Sequence, residues 1–352
     1  MKAQVFYEPN KMELTEVPDP KPAADQVLVR VKACGICGSD VAYFFGDASL
    51  ETETGKGPLI LGHEFTGEVV EVGEAAKNLF SPGDRVVLDP VQYCNACEIC
   101  KRGYPNLCEN KAVLGVSTDG GFAEYALSSY TGVHKLPENV TYEQGALTEP
   151  LACATYGIQN LNILPGSFCV VIGAGPIGLM MVQLAKANGA GTVALVERLD
   201  YRLETGKQLG ADMIFNTGES DSPHYCEDLT QAIADATQGK MADRVIVATG
   251  AVEAMQQALD ISGRRSTIVY FGLPGDQDVI TVPALQSILW DKTIRFSWLA
   301  PHTWPAALSA LASGQVNVDP LITGEVPLEG LEQALADVRD RKGNPFKVLV
   351  KP

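Results

Sequence analysis

Two rhythms of apolar and polar residues divide the chain. In the first, short runs alternate. Val27-Leu28-Val29-Arg30-Val31-Lys32 has the period of a half-buried strand, and Phe65 to Val72 and Arg85 to Leu88 read the same way. Turn formers separate these runs: Pro18-Asp19-Pro20-Lys21-Pro22 before the first, Gly73 and Ser81-Pro82-Gly83-Asp84 before the third. Short strands with frequent turns predict a small β-barrel-like domain.

Near residue 150 the rhythm changes. Phe168 to Ile172 is a continuous apolar run followed by glycines, and Ile177 to Asn188 then reads as a helix. Thr192 to Val196 is a second buried strand ending at Glu197, a helix near Arg202 to Leu209 follows, and Met213 to Phe215 is a third strand. Arg244 to Ala248 and Thr267 to Tyr270 repeat the strand pattern. Apolar strands alternating with helices predict a doubly wound parallel sheet. The tail predicts helices at Trp304 to Leu311 and Leu328 to Arg341 and a last strand at Lys347 to Val350. The expected organisation is therefore α/β with two domains: a β-rich domain over 1–152 completed by 290–352, and a parallel-sheet domain over 153–289.

Composition narrows the function. The formal charge of −16 over 352 residues excludes the basic surfaces that nucleic acid and anionic membranes require. No charged residue lies between Pro150 and Ala185, but Asn160, Asn162, Pro165, Gly166 and the glycine run break that stretch, so it does not read as a membrane span. The opening MKAQVFYEPN turns polar within ten residues, unlike a secretory leader. With nine cysteines that show metal spacing or scatter, this leads us to expect a reducing cytoplasm.

The cysteines carry the first chemistry. Cys94, Cys97, Cys100 and Cys108 follow a C-x2-C-x2-C-x7-C spacing, which can close four thiolates around one tetrahedral zinc with no open position. Buried or disulfide-bonded cysteines are the alternative, disfavoured by the paired spacing. Gly173-Ala174-Gly175-Pro176-Ile177-Gly178 follows a strand and opens a helix. There Gly173 permits the turn, Gly175 lets backbone approach a pyrophosphate, and Gly178 packs helix on strand. The glycines alone describe a plain turn equally well. Glu197, nineteen residues beyond Gly178 at a strand end, changes that: a carboxylate there can accept ribose hydroxyls and repel a 2′-phosphate, which selects NAD. Arg198 beside it opposes that preference. Cys37, His63 and Glu64 offer one thiolate, one imidazole and one carboxylate, but their separation is too large for spacing alone to join them.

Several segments together are similar to the zinc-dependent medium-chain dehydrogenases, above all the sorbitol/polyol branch: Gly35-Ile36-Cys37-Gly38-Ser39-Asp40, Gly62-His63-Glu64, the four-cysteine loop, Gly121-Phe122-Ala123-Glu124-Tyr125, Glu149-Pro150-Leu151, Val171 to Gly178 and Thr303-Trp304-Pro305. They run through nearly the whole chain. The resemblance implies a GroES-like catalytic domain and a Rossmann domain, one catalytic and one structural zinc, and NAD. It makes Cys37 and His63 catalytic zinc ligands, completed by Glu64 and Glu149, either of which can bind directly. It makes Asp40 the acid that orients the zinc-bound imidazole, Ser39 the hydroxyl that takes the alcohol proton, and Tyr43 a wall of the polyol pocket. Gly173, Gly175, Pro176, Ile177, Gly178, Glu197, Arg198 and Arg202 form the cofactor set. The implied reaction moves a hydride from a carbinol carbon to nicotinamide, with zinc as the Lewis acid.

The departures matter as much. Many relatives carry a histidine three residues after the relay serine, where this chain has Ala42. The sorbitol type places an arginine and a tyrosine shortly before the Thr-Trp-Pro segment; here the residues are Leu299-Ala300-Pro301-His302. The expected substrate is therefore a polyol or sugar-like secondary alcohol, with L-threonine, galactitol phosphate and cyclitols as rivals. An inactive binding or structural protein on the same scaffold is the reading from another class, opposed by the intact Cys37, His63, Glu64 and Ser39. The resemblance also implies a homodimer or homotetramer joined through cofactor-domain edge strands, with Thr293 to Trp298 as the candidate edge.

Overall fold

In the computed structural model, which describes all 352 residues, strand Gln26–Gly35 is the hub of the first unit. One of its edges pairs with Glu64–Val72 along its length. The other takes Tyr125–Ser129 at its start and Lys347–Lys351 at its end. The seven-stranded sheet continues through Arg85–Leu88 to Val133–Lys135 on one side and through Lys347–Lys351 to Ile322–Pro327 on the other. Of the hub strand's ten residues only Arg30 is exposed, so it is more buried than its alternation predicts. Val27, Val29, Val31 and Cys34 enter a core with Phe6, Phe65 and Phe122. Each fully buried aromatic there is worth about 1.5–3 kcal/mol in burial alone.

The registers fix what meets at one end of this sheet. Gly35 pairs with Glu64 on one side and Leu349 on the other. The chain leaves the hub through Ile36 and enters helix Gly38–Phe45, with Cys37 as its N-cap. Strands Ile322–Pro327 and Lys347–Lys351 are parallel, joined by helix Leu331–Arg339. An N-terminal hairpin, Lys2–Glu8 with Lys11–Glu16, is an addition to the strands read from the sequence.

The second unit is built on six parallel strands in the order Met213–Asn216, Thr192–Glu197, Phe168–Ile172, Ala242–Val247, Ser262–Tyr270, Thr293–Phe296. Numbered along the chain this is 3-2-1-4-5-6, the order of the doubly wound dinucleotide fold. Phe168–Ile172 and Thr192–Glu197 are largely apolar and buried, and Ala242–Val247 is buried except at Asp243, as strands covered on both faces are. Met1–Pro150, Trp304–Ala312 and Val318–Pro352 make up the first unit, and Leu151–Thr303 with Ser313–Asn317 the second. The return to the first unit, expected at residue 290, comes instead at Trp304, because Thr293–Phe296 extends the parallel sheet as its sixth strand. No helix is long and apolar enough to cross a membrane.

Candidate active site and metal centres

The four clustered cysteines sit on a lobe carried by the short ladder Val91–Gln92 with Ala112–Val113. Cys97 caps helix Glu98–Lys101, and Cys108 follows the turn Pro105–Leu107. Their sulfurs lie within 4.8 Å of one another. Cys94 and Cys108 are 3.4 Å apart and Cys97 and Cys108 4.0 Å. Four thiolates at about 2.3 Å from one zinc would stand about 3.8 Å apart, so the set fits a tetrahedral ion. Backbone N–H groups already point at the sulfurs: Ala96 and Cys97 donate to Cys94, and Cys100 to Cys97. Those bonds lower the Cys94 pKa to about 6. Cys100 goes the other way, to about 12, through desolvation and the neighbouring Cys97 and Cys108 thiols. Sulfurs crowded this closely cannot all lose protons without a cation among them, which is what a metal supplies.

The second set assembles from two places in the chain. Cys37 precedes helix Gly38–Phe45, His63 precedes strand Glu64–Val72, and Glu64 begins it; their ligand atoms also lie within 4.8 Å of one another. Asp40, fully buried, ties the pieces together. Its Oδ2 accepts from the Cys37 N–H at 2.8 Å, and its Oδ1 accepts from the Gly62 N–H at 3.3 Å. Asp40 Oδ1 is also 3.6 Å from His63 Nδ1, while Ser39 Oγ lies 3.5 Å from Nε2. His63 Nδ1 is buried without a hydrogen bond, and Glu64 Oε2, also without one, lies 2.6 Å from the Lys347 ammonium. Burial alone would depress the His63 pKa, but the Asp40 carboxylate and the Cys37 sulfur outweigh it and hold the imidazole well above its usual range. One sulfur, one imidazole and one carboxylate gathered where the field favours positive charge fit a divalent cation.

The glycine loop follows strand Phe168–Ile172 and opens helix Pro176–Ala187, with Gly175 as N-cap. Gly173 has φ 100° and donates its N–H to Val196 at 2.8 Å. A Cβ on Gly178 would run into the Gly173 carbonyl oxygen, so the protein itself requires that glycine. A Cβ on Gly175 would meet nothing within 4 Å. The space in front of Gly175 is open, as a cradle for a pyrophosphate must be. Glu197 is braced across the loop: Oε2 accepts from the Ala174 N–H at 2.8 Å and Oε1 from the Arg198 N–H at 2.7 Å. Arg202 lies 4.0 Å from Glu197 and its Nε donates to the Tyr201 hydroxyl at 2.9 Å, whereas Arg198 is exposed. The loop and the acid stand at the carboxyl ends of adjacent strands, where open α/β sheets bind nucleotides.

Not every candidate joins a set. Glu149, in the first turn of helix Thr148–Leu161, is outside the group of ligand atoms formed by Cys37, His63 and Glu64. Tyr43 is half-buried on the Cys37 helix, where burial raises its pKa while the nearby His63 charge acts against it. His302 is exposed. Two buried ionisable residues carried no signal in the sequence. Asp89 is buried after strand Arg85–Leu88, accepting from the Val91 N–H at 2.9 Å and the Tyr93 hydroxyl at 3.2 Å. Lys347 reaches Glu64 from the other end of the chain. Both read as ordinary polar residues at strand ends until the fold surrounds them.

The family description "Alcohol dehydrogenase GroES-like domain" matches residues 23–138, and "Zinc-binding dehydrogenase" matches residues 176–313. A D-arabitol-phosphate dehydrogenase of Enterococcus avium is 33% identical over 347 residues, 97% of this chain and 94% of that protein. A sorbitol dehydrogenase of Bacillus subtilis strain 168 is 33% identical over 354 residues, 100% of this chain and 97% of that one. A solved structure described as a zinc-binding dehydrogenase of Sinorhizobium meliloti 1021, bound to NADP, superposes with a TM-score of 0.91 at 30% identity, covering 100% of this chain and 99% of that one.

Proposed function

Because this chain belongs to the zinc-dependent medium-chain dehydrogenase family, in its sorbitol-like branch, we propose that it oxidises a secondary alcohol of a polyol or sugar-like substrate with NAD. The observation that carries the reading is the convergence of Cys37, His63 and Glu64 on one buried point, with Ser39 at its rim. The relatives named for sorbitol and for arabitol phosphate support the polyol class.

The groups implied here supply, when bound, polarisation of the substrate oxygen by zinc and acceptance of the hydride by nicotinamide. The chain's own residues do the rest. Cys37, His63 and one of the carboxylates Glu64 and Glu149 would hold the catalytic zinc, and the four cysteines of the lobe a structural one. Asp40 holds the His63 ring by its Nδ1 edge, leaving Nε2 for the metal. The Ser39 hydroxyl receives the alcohol proton and passes it on. With Ala42 where a histidine would follow, no imidazole three residues on takes that proton toward solvent. Gly175 admits the pyrophosphate to the helix N-terminus, and Glu197 binds the adenosine ribose with Arg202 steadying its carboxylate. The Glu197 charge favours NAD over NADP. The thiol cluster suits a reducing compartment, and on that ground we place the protein in the cytoplasm. The edge strand Thr293–Phe296 supports a homo-oligomer.

The deciding experiment is a screen of the zinc-loaded protein against polyols, cyclitols, sugar phosphates and L-threonine, each with NAD and with NADP. Turnover of a polyol or its phosphate with higher kcat/KM for NAD is expected. L-threonine as the best substrate would overturn the polyol reading, and higher kcat/KM with NADP would make Arg198 the discriminating residue.

A further inference from the structure

Lys347 has no part in the steps above, yet its ammonium lies on a candidate zinc ligand. It is the first residue of strand Lys347–Lys351, which the fold docks beside the end of the hub strand. Its side chain is 6% exposed and that of Glu64 1%. Nζ donates to Glu64 Oε1 at 2.8 Å and to the Ile36 carbonyl at 2.9 Å, and stands 2.6 Å from Oε2. The backbone is shaped around the pair: a Cβ on Gly35 would run into Glu64 Oε2 and press on the Lys347 side chain.

A buried ionic group is tolerated when its charges balance. Cys37, Asp40 and Glu64 bring three formal negative charges to this pocket. Lys347 offsets one of them before any metal arrives, and a zinc ion beside a neutral His63 would bring two more positive charges.

We propose that Lys347 is a positioning residue of the catalytic metal centre, holding Glu64 in a buried ion pair so that this carboxylate is held back from full donation to the metal. This rests on the reading of Cys37 and His63 as zinc ligands. Without Lys347 the metal-free protein would bury an uncompensated Glu64 carboxylate, and the loaded protein would use that carboxylate on the metal. Both effects favour the loaded state, so the site would grip zinc more tightly and present a changed ligand field.

The test compares the whole protein with its Lys347→Met, Lys347→Arg and Lys347→Met/Glu64→Gln variants. Zinc affinity is measured by chelator competition, zinc release by chelator-trapped kinetics, and ligand field by the visible spectrum of the cobalt(II)-substituted protein. Cys37→Ser identifies the signal of this site against that of the cysteine lobe. Lys347→Met should bind zinc about tenfold more tightly or better, release it more slowly and show shifted cobalt bands, with Lys347→Arg close to wild type. The double variant, which removes both charges, should lose the gain. If Lys347→Met is unstable without metal, its zinc release rate from the loaded protein still decides. Wild-type affinity, release rate and spectrum in Lys347→Met would overturn the proposal, as would a gain that survives in the double variant. A second metal that persists in Cys37→Ser would instead overturn the ligand assignment on which the proposal rests.

Discussion

Single side chains decide the proton's route. Ser39 Oγ is 3.5 Å from His63 Nε2 and partly exposed, and Ala42 offers it no partner of the usual kind. Ser39→Ala should lower kcat on the order of 100-fold, the scale of one general acid–base group, while the NAD dissociation constant stays at its wild-type value. Unchanged kcat, for a substrate whose deuteration slows turnover, would leave solvent as the acceptor. Asp89 makes a separate prediction about stability. Burial, with the Glu149 charge adding, pushes its carboxyl up to about 7 against the hydrogen bonds from Val91 and Tyr93. In the unfolded chain it titrates near about 3.9. The folded protein therefore binds the extra proton between these values. That contribution is fully present below the lower one and is lost as pH rises through the upper. Asp89→Asn should flatten the slope: between pH 5 and 8 the wild type should lose on the order of 2–3 kcal/mol more than the variant in denaturant titrations. Parallel slopes would show that Asp89 stays ionised in the fold. Neither Asp89 nor Lys347 could be found in the sequence, because each is defined by neighbours the fold brings in. For Lys347 the neighbour is Glu64, 283 residues away.

At the level of elements, legibility followed the reach of the interactions. The strands Phe168–Ile172, Thr192–Glu197 and Arg85–Leu88 could be read because each is a local apolar run bounded by turns. The glycine loop was legible for the same reason. The N-terminal hairpin was not: Lys11–Glu16 buries only Met12, so no alternation marks it. The role of Thr293–Phe296 was half legible. The family resemblance offers Thr293 to Trp298 as an edge, but the strand's place as sixth member of the parallel sheet depends on pairing with Ser262–Tyr270. The cysteine lobe is the opposite case, where sequence spacing says more than packing. Between Tyr93 and Lys111 only Pro105, Asn106 and Cys108 are buried, too little apolar surface to hold a lobe. A metal must do it. Cys97→Ser should therefore remove one zinc per chain and open the lobe to limited proteolysis, while the parallel-sheet unit keeps its circular dichroism. A variant with full zinc content and wild-type protease resistance would show that the lobe stands without its fourth thiolate.

On the scale of the whole molecule, the surface rather than the core predicts assembly. Strand Thr293–Phe296 ends the parallel sheet with one edge unpaired, and long apolar side chains crowd the same region: Leu285, Ile288, Leu289, Val279, Phe296 and Trp298. Phe296 is 73% exposed. An unpaired edge flanked by apolar surface is an aggregation hazard in a monomer. Beside it lies an apolar cavity of about 260 Å³ lined by Met255, Tyr270, Leu273, Val279, Phe296 and Trp298. A second copy related by a two-fold axis would bring the same strand alongside in antiparallel sense, since an isologous contact matches each patch with itself. That pairing would satisfy both edges and cover Phe296 and Leu285 on each side. Light scattering at micromolar concentration should then give a mass that is a multiple of the 37.6 kDa chain. Phe296→Asp would place a charge at the centre of the contact and remove about 1.5–3 kcal/mol of burial per copy. It should shift the mass to that of one chain while leaving zinc content unchanged. A wild-type mass of one chain would sink the edge-paired assembly; an oligomer that survives Phe296→Asp would move the interface away from this strand.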